Sequence, residues 1–400
     1  MFQLLLHNAQ IILKDRVQPG GVLIREGRIA EVFTDADTPV GLAADEKLDL
    51  QNRFLAPGLI DVHIHGSAGI DVQNADQQGL AKLSQFLLGE GVTGYFATFV
   101  PTDDAGYRRA IQEIETYIAN QDNGQTNGAR ILGIHFEGPF VSEEKCGALQ
   151  REHFRTYDGN PDTIRVFTHP TNSPVIYKRL MTLAPELRGG LNLISELTSK
   201  DVRSFIGHTT AQPEILDAAV RAGAHHITHF PNALEPLHHR KPGIVAWGLL
   251  NTEVTFDCIA DFHHVHPLML QLMHKSKSAE RMALISDAIA PAGLGEGEFT
   301  VWGDKIEVLG GITALMEGAA KGTIAGSVIT MRDALKNIAS LNIPIYEASR
   351  MASYVPAVAA GVALNYGAIE AGKRADLMAF DENFTIGFAS LGGSIALDQR

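Results

Sequence analysis

Two histidines two residues apart, His63 and His65 in DVHIHG, close the apolar run FLAPGLI with Asp61 just before them and Gly66 just behind. A run this rich in Ile, Leu and Val reads as a buried strand. Residues i and i+2 of a strand share a face, so Asp61, His63 and His65 are expected to point one way and Val62 and Ile64 the other. Two imidazoles converging at a strand's C-terminal end suit a metal ion. Four more places repeat the pattern of a polar residue at the end of an apolar run: Glu137 in HFEGP, His208 in FIGH, His229 in ITHF and Asp287 in LISDAIAP. Four imidazoles and two carboxylates together suit one or two divalent ions, with no thiolate required.

The rest of the composition narrows the class. Only Cys146 and Cys258 are present, too few for a disulfide framework or a Cys-rich zinc site, which fits a reducing cytoplasm. A formal net charge of −13, without a Lys/Arg cluster, excludes a polyanion such as nucleic acid as partner. One local arginine would still suffice for a single phosphate. No uninterrupted apolar run approaches the roughly 18 residues of a membrane span. The start, MFQLLLHNAQIILKDR, lacks the charged leader and cleavage site of a signal peptide, so a cytoplasmic protein is expected.

Something must bring residues 63 to 287 together. From residue 58 to about 290, eight short apolar runs alternate with stretches of helical period such as DQQGLAKLSQFLLGEG, DDAGYRRAIQEIETYIANQ, QPEILDAAVRAG and HPLMLQLMHK. Eight strand-helix units in succession predict a parallel (β/α)8 barrel of the TIM type, whose active site forms where the strands end. The six residues fall at the ends of strands one, three, five, six and eight. Residues 1–57 and 366–400 read instead as short strands separated by Gly, Asn and Asp, and are expected to form one small β domain from both termini, leaving 58–365 as the barrel. Residues 295–327 read as a strand-rich insertion after the eighth strand.

The ordered strings DVHIHG, HFEGP, THFPNAL, HHRKPG, IADFHHVH, SDAIAPAG and GAIEAGKRADL resemble the amidohydrolase superfamily, and within it the N-acetylglucosamine-6-phosphate deacetylase family. The resemblance runs through nearly the whole chain. It implies a distorted (β/α)8 barrel with a small β-sandwich from both termini. It makes Glu137, His208 and His229 ligands of one metal, implies a second metal at His63 and His65 bridged through Glu137, and makes Asp287 the general base. One or two divalent ions, zinc, iron or similar, are therefore expected, two being favoured because His63 and His65 are both present. His264, at the histidine of the family's IADxxH string, is implied to bind the substrate and stabilise the developing oxyanion.

The same resemblance implies a substrate that is a small phosphorylated amino sugar. Asn232 and Ala233 would bind its phosphate, and Arg240 would reach the phosphate of a neighbouring subunit's site, which implies a homodimer. Ile324 lies in GTIAGS, which resembles the family's loop that closes over the acetyl group, a simple turn being the competing reading. Where many relatives carry a polar sugar contact after GA, this chain has Leu149, with Gln150 next along. Either Gln150 substitutes by a one-residue shift or that contact is lost, which leaves the galactosamine epimer as an alternative substrate. A non-catalytic scaffold is the other alternative. His135 is expected to orient a ligand or fill the barrel, and the remaining histidines, His169 and His226 among them, to be structural or solvated.

Overall fold

Leu59–Ile64 is a strand in which every residue is buried, as its apolar run requires. The structure is a computed structural model describing residues 2–34, 44–168, 175–318 and 321–400. His169 lies outside the described residues. Seven further parallel strands follow at the places the apolar runs predict: Val92–Phe99, Arg130–Glu137, Lys178–Leu183, Val202–Ile206, His226–Ile227, Thr255–Ile259 and Met282–Ile285. They hydrogen-bond in sequence order into an eight-stranded parallel sheet, so the predicted barrel forms.

The helices lie outside it. Gln77–Gly89 begins where the Asp76 carboxylate accepts from Gly79 N at 2.8 Å, capping one free N–H of its first turn. Leu80, Leu83 and Leu87 recur at helical spacing and face the barrel. Asp103 caps Asp104–Asp122 in the same way. Between barrel and helices, Tyr107, Phe136 and Phe167 pack edge to face with centroids 5.0 to 5.9 Å apart. Each such ring contributes about 1.5–3 kcal/mol by burial. Inside the barrel, Ile60, Val62, Phe96, Leu180, Phe205, Ile259 and Ile285 form a plug with the helix Tyr354–Ala360. Polar groups at the other end thus face out of a filled barrel.

The ladder between strands one and two shifts register between Asp61 and Ile64, so two residues of strand one oppose one of its neighbour. This overturns the expectation of strict alternation. Asp61 does not join His63 and His65. Its carboxylate turns to strand eight, where it accepts from Ser286 N at 3.3 Å and Ser286 Oγ at 2.5 Å. No β-ladder joins strands eight and one, and these bonds, with Asp287 N donating to His63 O at 2.9 Å, close the barrel there.

The strands of the two ends of the chain form a separate eight-stranded sheet with its own apolar core, including Leu4, Leu6, Val22, Leu55, Leu377 and Phe388. Residues Gly297–Val301, Asp304–Leu309 and Ile312–Leu315 make a three-stranded antiparallel sheet after the eighth barrel strand. No described helix is long and apolar enough to cross a membrane. Both cysteines are free and buried.

Candidate metal centre

Six side chains from five strands meet at the C-terminal mouth of the barrel. They form two groups of potential ligands, Glu137 with His208 and His229, and His63 with His65 and Asp287, all buried. Glu137, the last residue of strand three, joins them. Its Oε1 lies 3.0 Å from His208 Nε2, 3.1 Å from His229 Nε2 and 3.5 Å from His63 Nε2, and its Oε2 lies 3.3 Å from His65 Nε2. Asp287 Oδ1 is 3.3 Å from His63 Nε2 and 3.2 Å from His65 Nε2. One carboxylate touching both groups is the arrangement a bridging ligand requires.

The local backbone aims these groups. His208, His229 and Asp287 have φ of 48°, 34° and 49°, in the left-handed region. Such residues cost about 1–3 kcal/mol and persist where surrounding bonds hold them. Here Ser142 N donates to His208 O at 2.9 Å, Asn232 N to His229 O at 2.7 Å, and Ser327 N to Asp287 O at 2.8 Å. Asp257 adds a further brace, accepting from His229 N and facing His226 Nε2 at 2.9 Å. His226 is therefore structural, as expected.

The donor set fits a metal. His208 Nδ1 lies 2.6 Å from Lys145 O and His229 Nδ1 3.3 Å from Asn232 O. A carbonyl only accepts, so each Nδ1 carries the proton and each Nε2 presents a lone pair. Those Nε2 atoms are 3.0 Å apart beside a carboxylate oxygen. Three acceptors converge where a cation would hold them together. His63 and His65 bring Nε2 atoms 3.2 Å apart, while their buried Nδ1 atoms find no partner among the described residues.

The electrostatics agree. Burial opposes charge on His65, but the Asp287 and Glu137 carboxylates outweigh it and raise its pKa to about 10. Burial likewise opposes charge on His229, which Glu137 nevertheless raises to about 9. Glu137 and Asp287 are held below the usual carboxylate range despite their burial, chiefly by the His63 ring. Without a metal, protons occupy the cation-attracting site these anions create. His135 goes the other way: burial holds it well below its ordinary value, and it bridges Val62 O and Thr182 Oγ1 at 2.8 Å each inside the barrel. It orders strands and does not join the cluster.

A cavity of about 360 Å³ opens over the cluster. His65, Glu137, His208, His229 and Asp287 form its floor. Of the other predicted residues, Leu149, Asn232, Ala233, His264 and Ile324 line it. Gln150 does not; its Nε2 donates to Trp302 O at 2.7 Å instead. Arg240 is exposed outside the cavity, with Nη1 2.9 Å from the His239 ring nitrogen. His264 Nδ1 is 2.6 Å from Asp261 Oδ2, which fixes the ring. Among the lining residues outside the predicted site are His263, beside His264, and Trp302. Trp302 belongs to the insertion, where nothing but its type could have marked it. A second cavity of about 150 Å³, beside Ile12, Pro57 and Tyr354, holds none of this chemistry.

Comparison with known proteins gives the same answer. The amidohydrolase family pattern matches residues 54–395. N-acetylglucosamine-6-phosphate deacetylase of Vibrio furnissii is 34% identical over 345 residues, covering 86% of this chain and 83% of that one. N-acetylgalactosamine-6-phosphate deacetylase of Escherichia coli O157:H7 is 32% identical over 371 residues, covering 92% and 94%. The crystal structure of N-acetylglucosamine-6-phosphate deacetylase from Thermotoga maritima superposes with a TM-score of 0.85 at 30% identity, over 98% of this chain and 99% of that one. With a barrel of this topology and a shared-carboxylate ligand cluster at its mouth, the chain belongs to the amidohydrolase family, in its N-acetylglucosamine-6-phosphate deacetylase branch.

Proposed function

We propose that this protein hydrolyses the acetamide of N-acetylglucosamine 6-phosphate, giving glucosamine 6-phosphate and acetate. The observation that carries the reading is Glu137 shared between two imidazole groups on the floor of a substrate-sized cavity. Glu137, His208 and His229 would hold one divalent ion and His63, His65 and Asp287 a second, with Glu137 between them. When bound, the ions polarise the amide carbonyl and bring the pKa of a water to about 7.

Asp287, beside His63 and His65, takes the proton of the attacking water and passes it to the departing amine as the C–N bond breaks. His264, its ring held by Asp261 Oδ2 2.6 Å from Nδ1, would face the developing oxyanion. Ile324 would pack against the acetyl methyl, and Asn232 and Ala233 would receive the phosphate. Arg240 would reach the phosphate of a partner subunit's cavity in a homodimer; its exposure outside its own cavity supports this. Two free cysteines suit a cytoplasmic setting.

The galactosamine epimer is a second reading, favoured by Leu149 in the cavity wall. A scaffold without activity has no use for six buried, convergent ligand groups. The test is kcat/KM for acetate release by zinc-replete protein from N-acetylglucosamine 6-phosphate, its galacto epimer and unphosphorylated N-acetylglucosamine, for the wild type and Arg240→Ala. A preference for phosphate that Arg240→Ala removes is expected. Acetate from none of the three would overturn the reading.

A further inference from the structure

Beside the metal centre the cavity wall changes character. Trp302, with φ of 53° at the turn between two strands of the insertion, sets its ring 5.1 Å from the His65 ring at 81°. It is held from three sides. The ring meets His65 on one side, the backbone carbonyl accepts from Gln150 Nε2 at 2.7 Å, and the ring packs on the cluster of Leu149, Val100 and Val141. Trp302 lines the cavity, and the faces of its ring are carbon. Leu149 next to it offers only methyl groups.

A ring face and a leucine side chain cannot read a hydroxyl by hydrogen bonding. It can read shape, because an aromatic ring packs well against a flat patch of C–H groups, and one face of a pyranose supplies such a patch. We infer that Trp302, backed by Leu149, is a specificity-determining residue that packs against the carbon face of the amino sugar ring. This inference rests on the function proposed above. It explains where Gln150 went: the amide holds the platform instead of touching substrate. It also names a substrate class, cyclic N-acetylated sugar phosphates of either epimer. Hydrogen-bonding sites discriminate analogues by about 10⁴ or more, whereas apolar contacts give about 10–200-fold. The gluco and galacto epimers should therefore differ by less than about 100-fold.

Trp302→Ala, Trp302→Phe and wild type are compared on both epimers and on O-phosphorylated N-acetylethanolamine, which carries the acetamide and phosphate without a ring. The expected result is a KM raised about tenfold or more for both sugars in Trp302→Ala, with kcat within about threefold, restoration by Trp302→Phe, and no change on the acyclic compound. Equal losses on all three compounds, or none, overturn the inference. A second measurement does not depend on turnover. In Trp247→Phe, where Trp302 is the remaining tryptophan, its fluorescence should respond saturably to glucosamine 6-phosphate and not to O-phosphoethanolamine. A response to both alike, or to neither, removes the platform. Saturable binding without any acetate release would instead remove the proposed reaction and leave the platform standing.

Discussion

Ser286 Oγ donates to Asp61 Oδ2 at 2.5 Å across the seam where the barrel has no β-ladder. The two residues lie just before His63 and Asp287, so the bond that closes the barrel also sets the separation of two members of the ligand cluster. Burial pushes the Asp61 carboxyl up to about 7, which the donors from Ser286 and His63 counteract. Ser286→Ala removes a donor from a buried carboxylate and the acceptor of Ala288 N. The expected loss is about 1–3 kcal/mol of unfolding free energy by denaturant titration. A change within about 0.5 kcal/mol would mean that the seam is held by backbone alone.

The two ligand groups should separate in metal analysis. His63→Ala leaves Glu137, His208 and His229 intact and should lower bound zinc by about one ion per chain. His208→Ala breaks the group whose Nδ1 protons are fixed, and should cost activity more than the roughly 10–100-fold of an outer-shell change. Elemental analysis and acetate release, measured on the same samples, check both. Full activity without bound metal in His208→Ala would discard the scheme.

Asp287→Asn keeps the shape of the side chain but cannot take a proton. It should lower kcat by about 10²–10⁴. Metal held by Glu137, His208 and His229 should remain. A variant within threefold of wild-type kcat would move the general base elsewhere.

Chelated protein should respond to pH in the opposite sense to metal-loaded protein. His65 and His229 have folded pKa values raised to about 10 and about 9 from 6.5. The folded state then holds protons that the unfolded chain has released. Their stabilisation is complete below pH 6.5 and is lost as pH rises through about 9 to 10. Metal binding needs those imidazoles unprotonated, so it strengthens over the same interval. Melting temperatures at pH 7, 8 and 9 should fall for the chelated form and hold or rise with zinc. Parallel curves would show that the metal does not replace these protons.

The sequence by itself determined the element order and the inventory of candidate ligands. Strand apolarity, helix period and capping residues such as Asp76 and Asp103 are local properties, so eight units and their ends were legible along the chain. His63, His65, Glu137, His208, His229 and Asp287 were legible for the same reason, each standing at the end of an apolar run. Tertiary structure decided what depends on partners distant in sequence. The register shift beside Val62 arises from pairing with strand two and the seam with strand eight, and it separates Asp61 from the ligands that strict alternation would have grouped with it. Gln150 and Leu149 are neighbours, yet only Leu149 faces the cavity, because a hairpin some 150 residues later brings Trp302 to claim the Gln150 amide. Local pattern fixes which groups are present, whereas packing between distant segments fixes which way each of them points.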